Sequence, residues 1–140
     1  QGYFSDNEKS KILDALNKIR PFMDLHSTFM HGDFSIENMI FNQGSGLVLI
    51  DPIYIKNLYS SIYLDIAKLS HSARKHGNVK LVNFCYSIMK NYTDERDKHL
   101  LDFVLTVLEV TQWIRILKYH RDDPNFDEYL RITKTLIEEC

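Results

Sequence analysis

The chain has few of the residues that mark several large classes of protein. Only two cysteines, Cys85 and Cys140, occur among the 140 residues, which is too few for a disulfide scaffold, and neither belongs to a Cys-x-x-Cys pair. We therefore expect a buried Cys85 and a free Cys140, as in a reducing, cytoplasmic compartment. No apolar run reaches the roughly 20 residues that a membrane-spanning helix needs, so no membrane is expected as a partner.

An excess of charge of one sign is also missing. The chain has 17 Lys and Arg against 19 Asp and Glu, with a formal net charge of −2. The two signs are mixed along the sequence, whereas a surface that binds nucleic acid needs a clustered excess of Lys and Arg. Nucleic acid is therefore not an expected partner. The length and the 44% hydrophobic content suit one globular domain with a sizeable core.

Most of the sequence has the apolar spacing of amphipathic helices. Ser5 followed by Glu8 forms a capping-box pattern, which predicts a first helix from Asp6 to Leu25 that Pro21 kinks or shortens. Three later regions also show helical spacing, and they predict helices over 63–71, over 79–89, and from a cap at Thr93 or Asp94 to Tyr119. A last helix is predicted to open at Asp123-Pro124.

The segment between the first two predicted helices has a different pattern. Residues 29–31 predict a short strand that enters a turn at Gly32. Residues 38–42 and 47–50 predict two further strands, and the Gln-Gly-Ser-Gly run that joins them is typical of a hairpin. The predicted fold class is therefore α+β, mainly α: a helical bundle that carries one small β-hairpin.

The predicted hairpin carries acidic and amide side chains that suit phosphoryl transfer. This chemistry needs one carboxylate to orient or deprotonate the attacking hydroxyl, and oxygen ligands for Mg²⁺ on the phosphates. Asp33 lies in the loop after the first predicted strand, and Asn38 begins the next strand. Asp51 follows the last strand, and an antiparallel return brings it back beside Asn38. We expect this hairpin to bring a base and two metal ligands together.

These segments resemble those of a known family. HGDFSIEN at 31–38 and LVLID at 47–51 resemble the catalytic and metal-binding segments of aminoglycoside phosphotransferases and choline kinases, which are small-molecule relatives of the protein kinases. YLDIAKLSHS at 63–72 is similar to a bacterial subgroup associated with capsule and surface-polysaccharide biosynthesis. HGDxxxxN followed by IDP is a specific pattern, and the resemblance covers residues 28–72.

The resemblance implies a role for each matching residue. Asp33 would be the catalytic base, and His31 would brace the loop through hydrogen bonds. Asn38 and Asp51 would bind Mg²⁺ or Mn²⁺ together with ATP or another nucleoside triphosphate. Asp65 would support the loop structurally. The implied reaction transfers a phosphoryl group to a small hydroxylated acceptor, for which a sugar or a surface-polysaccharide precursor is the implied class.

Two features depart from the family pattern. Ile53-Tyr54 stands where the surface-polysaccharide subgroup has Arg-Gly, which concerns acceptor recognition. Gly2 is the only glycine before Gly32, and the first 30 residues predict a helix, so the glycine-rich loop and strand lysine of a kinase small lobe are not found there. We interpret residues 3–140 as a kinase-like C-terminal lobe of a longer chain and residues 1–2 as the remainder of a cleaved tag. The expected partner is the missing N-terminal lobe or domain, without which the lobe should be nearly inactive.

Two other interpretations stay open. The chain could be a non-catalytic, kinase-like interaction or regulatory module of a larger surface-polysaccharide protein. It could also be a helical interaction domain in which Asp33 and Asn38 are simple turn residues, since Asp and Asn favour turns for backbone reasons. That interpretation predicts no metal binding. The histidines lack paired metal-ligand spacing, so a zinc site is not expected.

Overall fold

A computed structural model of the chain describes residues 2–53 and 60–140. Gln1, which belongs to the interpreted tag remainder, and Tyr54, which belongs to the departure from the family pattern, lie outside the described residues. The fold is mainly helical with one small antiparallel sheet, as predicted. The helices are α1 (Asp6–Leu25), α2 (Ile62–Lys75), α3 (Val79–Tyr92), α4 (Lys98–Leu117) and α5 (Phe126–Glu139). The strands are β1 (Met39–Asn42) and β2 (Gly46–Leu49), and 3-10 turns at Ile36–Asn38 and Glu95–Asp97 precede β1 and α4. None of the described helices combines the length and the apolar character needed to cross a bilayer.

Helix α1 begins and ends where the sequence predicts. The Ser5 hydroxyl accepts a hydrogen bond from the Glu8 N–H at 3.2 Å, and the Glu8 carboxylate accepts one from the Ser5 N–H at 2.6 Å, which completes the capping box. Pro21 does not shorten the helix. Phe22 and Met23 beyond it are buried in the core, and this packing holds the last turn in place despite the hydrogen bond that proline removes.

Helices α2 and α4 form the centre of the bundle. Both are rich in buried residues: α2 and the first part of α4 share one core cluster with α1 and α3, and the last part of α4 shares a second cluster with α5. The fully buried Glu109 of α4 accepts hydrogen bonds from Arg74 Nε at 2.7 Å and from Trp113 Nε1 at 3.1 Å. A carboxylate can be kept in a core only when it is paired in this way. Cys85 is also buried, as predicted.

Residues 29–31 do not form the predicted strand. The Thr28 N–H donates to the Ser60 carbonyl at 2.8 Å, and the His31 carbonyl accepts from the Ile53 N–H at 2.8 Å. These two single bonds do not form a strand ladder, because each neighbouring segment bonds to this one at a single position within the described residues. The two predicted hairpin strands are confirmed in register, with Met39 opposite Leu49 and Asn42 opposite Gly46.

Several helix boundaries differ from the prediction: α3 runs three residues beyond 89 to Tyr92, and α4 ends at Leu117 instead of Tyr119. Helix α2 continues beyond residue 71 to Lys75, because the sequence has no helix-breaking residue before Gly77, whose φ of +68° ends the helix. Neither Thr93 nor Asp94 caps α4, which begins at Lys98, since the 3-10 turn intervenes. Helix α5 begins at Phe126, because residues 121–125 form turns instead of the first helical turn.

Candidate active site

Asp65 of α2 holds the loop that carries Asp33. Its carboxylate accepts backbone N–H bonds from His31 at 2.6 Å and from Gly32 at 2.9 Å. Asp65 is buried, and charge-assisted bonds of this kind compensate the cost of removing a carboxylate from water. These contacts agree with the supporting role expected of Asp65, and they tie the loop to the central helix of the fold.

Gly32 allows the loop to pass very close to the chain that follows β2. Its φ is +83°, and a Cβ at this position would lie 2.0 Å from the Ile53 carbonyl oxygen. The hydrogen bond from Ile53 to the His31 carbonyl fixes the two segments against each other. Only glycine combines this backbone conformation with the missing side chain that the close approach requires.

We expect Gly32→Ala to lower the free energy of unfolding by roughly 2 kcal/mol or more, because a strained backbone costs about 1–3 kcal/mol and the Ile53 carbonyl must also move. Urea unfolding measures the change. Gly44→Ala is the matched control, since a Cβ there would meet nothing closer than 3.5 Å, and it should change stability by less than about 0.5 kcal/mol. Equal stabilities for the two variants would contradict the close approach.

Asp33 and Asn38 are in direct contact. Asn38 Nδ2 donates to the Asp33 carbonyl oxygen at 2.9 Å and to Asp33 Oδ2 at 3.0 Å. The other carboxylate oxygen, Oδ1, lies 3.2 Å from Lys68 Nζ, and 23% of the Asp33 side chain is exposed. The carboxylate is therefore held in one orientation by Asn38 and Lys68 and is still accessible to a ligand.

Asp51 stands two residues after the end of β2 and next to Ile50, the backbone partner of Asn38. The Ile50 N–H donates to the Asn38 carbonyl at 3.0 Å, so the hairpin brings the two sequence positions together as predicted. Asp51 is exposed and has a φ of +54°, which is uncommon for a residue other than glycine. Backbone strain of this kind clusters at functional sites.

Asn38 and Asp51 offer the chemistry that a magnesium ion needs. Asn38 uses Nδ2 for its bonds to Asp33, and this leaves its Oδ1 as a hard oxygen ligand. Mg²⁺ is held by few protein oxygens, with water and phosphate completing its shell, so an amide and a carboxylate fit it. Among the described residues no group of three or more His, Cys, Asp or Glu side chains is arranged to hold a metal ion by itself.

His31 contributes to the loop through its backbone. Its N–H donates to Asp65, and its carbonyl accepts from Ile53. Both ring nitrogens are buried, and neither has a hydrogen-bond partner in the part of the chain that the structure describes. His31 therefore braces the loop through its backbone hydrogen bonds, and its ring forms none among the described residues.

Glu37 and Ser72 fasten the 3-10 turn before β1 to helix α2. The Ser72 hydroxyl accepts from the Ile36 N–H at 3.1 Å and donates to Glu37 Oε2 at 2.9 Å, while His76 Nε2 lies 2.9 Å from Glu37 Oε1. Burial opposes ionisation of Glu37, yet the hydrogen bonds from His76, its own backbone, Ser72 and Ser35 together lower its pKa to about 2. The loop is thus held at both ends by α2.

A cleft of about 220 Å³ lies beside Asp33, and three α2 side chains that the sequence prediction missed line it: Lys68, His71 and Lys75. A signal for the two lysines was present. Lys68 and Lys75 stand three and ten residues after Asp65, spacings that put all three on one helix face. The sequence did not indicate which α2 face meets the loop, because that depends on long-range packing.

His71 is buried beside the cleft without a hydrogen-bond partner among the described residues. Its ring packs edge-on against Trp113, with the ring centroids 4.5 Å apart. Burial, together with the positive charges of Lys68 and Lys75, lowers the pKa of His71 to about 3. The imidazole is therefore neutral at pH 7, with one N–H donor and one acceptor nitrogen.

We expect a change from pH 7.5 to pH 5 to lower the free energy of unfolding by about 2 kcal/mol. Folded His71 stays neutral down to about pH 3, whereas the unfolded imidazole takes up a proton near pH 6.5. Its contribution to stability is therefore complete above pH 6.5 and is lost as the pH falls towards 3. Urea unfolding at both pH values measures the loss.

Two variants check the origin of this pH dependence. His71→Phe should lose most of it, because no titrating group is left at that buried position. His99→Gln, which alters an exposed histidine, should retain it. The same pH dependence in His71→Phe and in the unmodified chain would contradict the assignment to His71.

Comparison of the chain with protein-family models, with curated proteins and with solved structures finds no match. A functional conclusion for this chain therefore depends on its own residues and their geometry: the contact of Asp33 with Asn38, the backbone pairing that brings Asp51 near, and the clamp by Asp65.

Proposed function

We propose that this chain is the kinase-like large lobe of a phosphotransferase, which moves a phosphoryl group from ATP or another nucleoside triphosphate to a hydroxyl of a small molecule. The observation that carries the proposal is the contact between Asp33 and Asn38 on a loop clamped by Asp65. A carboxylate held in a fixed orientation, with an amide oxygen and a second carboxylate nearby, is the set of groups that this chemistry needs. The resemblance of HGDxxxxN and IDP to phosphotransferase segments adds to it.

In the proposed reaction Asp33 acts on the acceptor. The acceptor oxygen attacks the terminal phosphorus, and the bond from that phosphorus to the bridging oxygen breaks, so the nucleoside diphosphate leaves with the electron pair. The hydroxyl proton passes to the Asp33 carboxylate. Asn38 and Lys68 hold that carboxylate in place, and positioning of this kind supplies most of the catalysis in phosphoryl transfer. Asn38 and Asp51 would hold a divalent cation, which when bound neutralises phosphate charge.

The β-hairpin provides further support for a nucleotide-binding partner. Two cross-strand pairs of large apolar residues are exposed, Ile40 with Val48 and Phe41 with Leu47. Neighbouring positions of a strand point to opposite faces, so each face of the hairpin carries one exposed apolar pair. Exposed apolar surface of this kind favours a binding role. A nucleotide base, or the lobe that grips a nucleotide, would cover this hairpin directly beside Asn38 and Asp51.

Calorimetric titration with Mg²⁺ and Mn²⁺, with and without ATP, tests the proposal. We expect the chain to bind the cation with ATP, and Asp51→Ala to bind it at least ~10-fold more weakly, with an unchanged circular dichroism spectrum. Asp102→Ala is the control: it removes an exposed carboxylate of α4 that is 14 residues, or about 20 Å along the helix, from Ile116 at the cleft.

The outcomes separate the proposed enzyme from its rivals. Equal binding by the two variants would place the cation elsewhere and overturn the roles of Asn38 and Asp51. No binding by the unmodified chain in the presence of ATP would overturn the metal site, and it would favour a non-catalytic module with a kinase-like sequence.

A further inference from the structure

We infer that the chain binds a small amphipathic anion, a carboxylate on a hydrocarbon tail of medium length, in a groove formed by helices α1, α2 and α4. The groove has a volume of about 340 Å³ and shares none of its lining residues with the cleft beside Asp33. Its occupant is therefore independent of the proposed phosphotransferase activity.

Large apolar side chains form most of the groove wall, and they are Leu16, Ile19, Met23, Leu64 and Leu108. Thr111, the one uncharged polar residue of the described lining, already donates its hydroxyl proton to the Leu108 carbonyl at 2.6 Å. A sugar or a peptide would leave polar groups without partners on such a wall, which is costly, whereas the burial of hydrocarbon against it is favourable. The wall therefore selects an apolar tail.

Arg20 is the one charged residue of the described lining. Every Asp and Glu of the chain lies in the described ranges, and none of them forms an ion pair with Arg20. An arginine stem lies along apolar surface while its guanidinium stays in water. A carboxylate is the chemical complement of that group, because it accepts two parallel N–H bonds from it.

The acids nearest to the lining along the chain do not offset the charge of Arg20. Asp65 faces the loop, where it accepts backbone N–H bonds, and the fully buried Glu109 is paired with Arg74. Asp24 stands one turn after Arg20 on α1, a spacing at which side chains can pair, but the two form no ion pair and Asp24 does not line the groove. Arg20 therefore sets the charge at the groove.

The dimensions of the groove fix the length and the orientation of the ligand. On α1 the lining runs from Leu16 to Met23, which is about 10 Å along the helix axis. The volume lies at the low end of the roughly 300–1,000 Å³ of typical ligand sites. Ile19 and Met23 are each 3% exposed, whereas Arg20 is exposed, so the apolar residues form the floor and the cation stands at the rim. A medium-length tail such as that of octanoate would lie along this floor with its carboxylate at Arg20.

NMR titrations of the ¹⁵N-labelled chain with hexanoate, octanoate, octanol and octylammonium test both parts of the ligand. We expect octanoate to bind at least ~4-fold more tightly than hexanoate, which is the effect of one fully buried methylene. Octanoate should bind about 3- to 5-fold more tightly than octanol, as for an ion pair at an exposed site, and octylammonium more weakly than octanol. The shifts should centre on residues 16–23 and on residues 64, 108 and 111.

Two pairs of variants separate the effect of the charge from that of the tail. Arg20→Gln should remove the preference for octanoate over octanol, whereas Lys18→Gln, which removes an exposed cation of α1 outside the lining, should retain it. Leu16→Trp, which fills the groove, should weaken the binding of both compounds by at least ~4-fold. Leu13→Trp, at a position of α1 that is 62% exposed and outside the lining, should bind both as the unmodified chain does.

The unmodified chain alone can overturn the inference, whether or not the variants fold. Equal binding of octanoate and octanol would remove the role of Arg20. No saturable shifts at about 10 mM octanoate, or shifts centred on the exposed β-hairpin instead of the groove, would remove the site itself. An equal loss of the octanoate preference in Arg20→Gln and Lys18→Gln would contradict the assignment of the anion to Arg20.

Discussion

Arg74→Met should destabilise the chain by about 3 kcal/mol or more. The variant removes the cation that is bonded to Glu109 at 2.7 Å, and the Glu109 side chain is fully buried. Removal of one member of a buried ion pair typically costs about 3–5 kcal/mol, because the remaining charge has no compensation. The lower end of that range applies, since the Arg74 side chain is one-third exposed and water can reach the position it leaves.

Arg131→Met is the matched control for this prediction. Arg131 also forms a two-pronged pair, to Glu128 at 2.6 and 2.8 Å, but both side chains are more than half exposed. An exposed pair is screened by water and contributes little to stability, so the control should unfold almost as the unmodified chain does. Urea unfolding measures both variants, and a similar loss in the two would contradict a special role for burial of Glu109.

Asp65→Ala should cost about 3 kcal/mol and should also abolish cation and ATP binding, although Asp65 is not one of the expected ligands. Its carboxylate receives the N–H groups of His31 and Gly32, and a hydrogen bond to a charged group is worth about 1.5–3 kcal/mol. Without these bonds, the loop that presents Asp33 is no longer fixed to α2. Asp65→Asn keeps one acceptor oxygen, so it should lose about half as much stability.

Asp102→Ala again serves as the control, because Asp102 is an exposed carboxylate at the far end of α4. It should change stability by less than about 0.5 kcal/mol and leave binding intact. An Asp65→Ala variant that is as stable as Asp102→Ala, or that binds the cation and ATP normally, would show that the loop does not depend on this clamp.

Helix α2 links the stability of the core to the geometry of the candidate site. One part of it packs in the core against α4, and Arg74 near its end pairs with the buried Glu109. Its other contacts hold the loop through Asp65 and Ser72 and orient Asp33 through Lys68. A rigid helix therefore supports the side chains that chemistry would use, which is the arrangement that a precisely positioned site requires.

Local patterns predicted those parts of the structure that local interactions determine. The capping box of Ser5 and Glu8 gave both ends of a 20-residue helix correctly when combined with apolar spacing. Strand alternation and the glycine-containing turn predicted the hairpin, and the hairpin in turn predicted that residue 51 returns to Asn38. These features depend on neighbours that are close in sequence, so a single sequence contains them.

Features that depend on distant residues were predicted less well. The strand over 29–31 failed because a strand needs a partner, and in the described residues the bond between His31 and Ile53 is the one backbone–backbone bond from this segment to another. The cleft residues Lys68, His71 and Lys75 were missed because their role depends on how α2 faces the loop. The start of α4 was misplaced because Asp94 precedes a 3-10 turn over Glu95–Asp97 instead of the helix itself.

The most direct test of the central claim is an NMR titration of the ¹⁵N-labelled chain with Mn²⁺ in the presence of ATP, since the paramagnetic ion broadens the signals of nearby amides. We predict that broadening begins at residues 33, 38, 50 and 51, and that excess Mg²⁺ reverses it. The double variant Asn38→Ala/Asp51→Ala should not show it, whereas Asp102→Ala should. Broadening that is centred on another part of the chain, or that persists unchanged in the double variant, would contradict the assignment of a phosphoryl-transfer metal site to this hairpin.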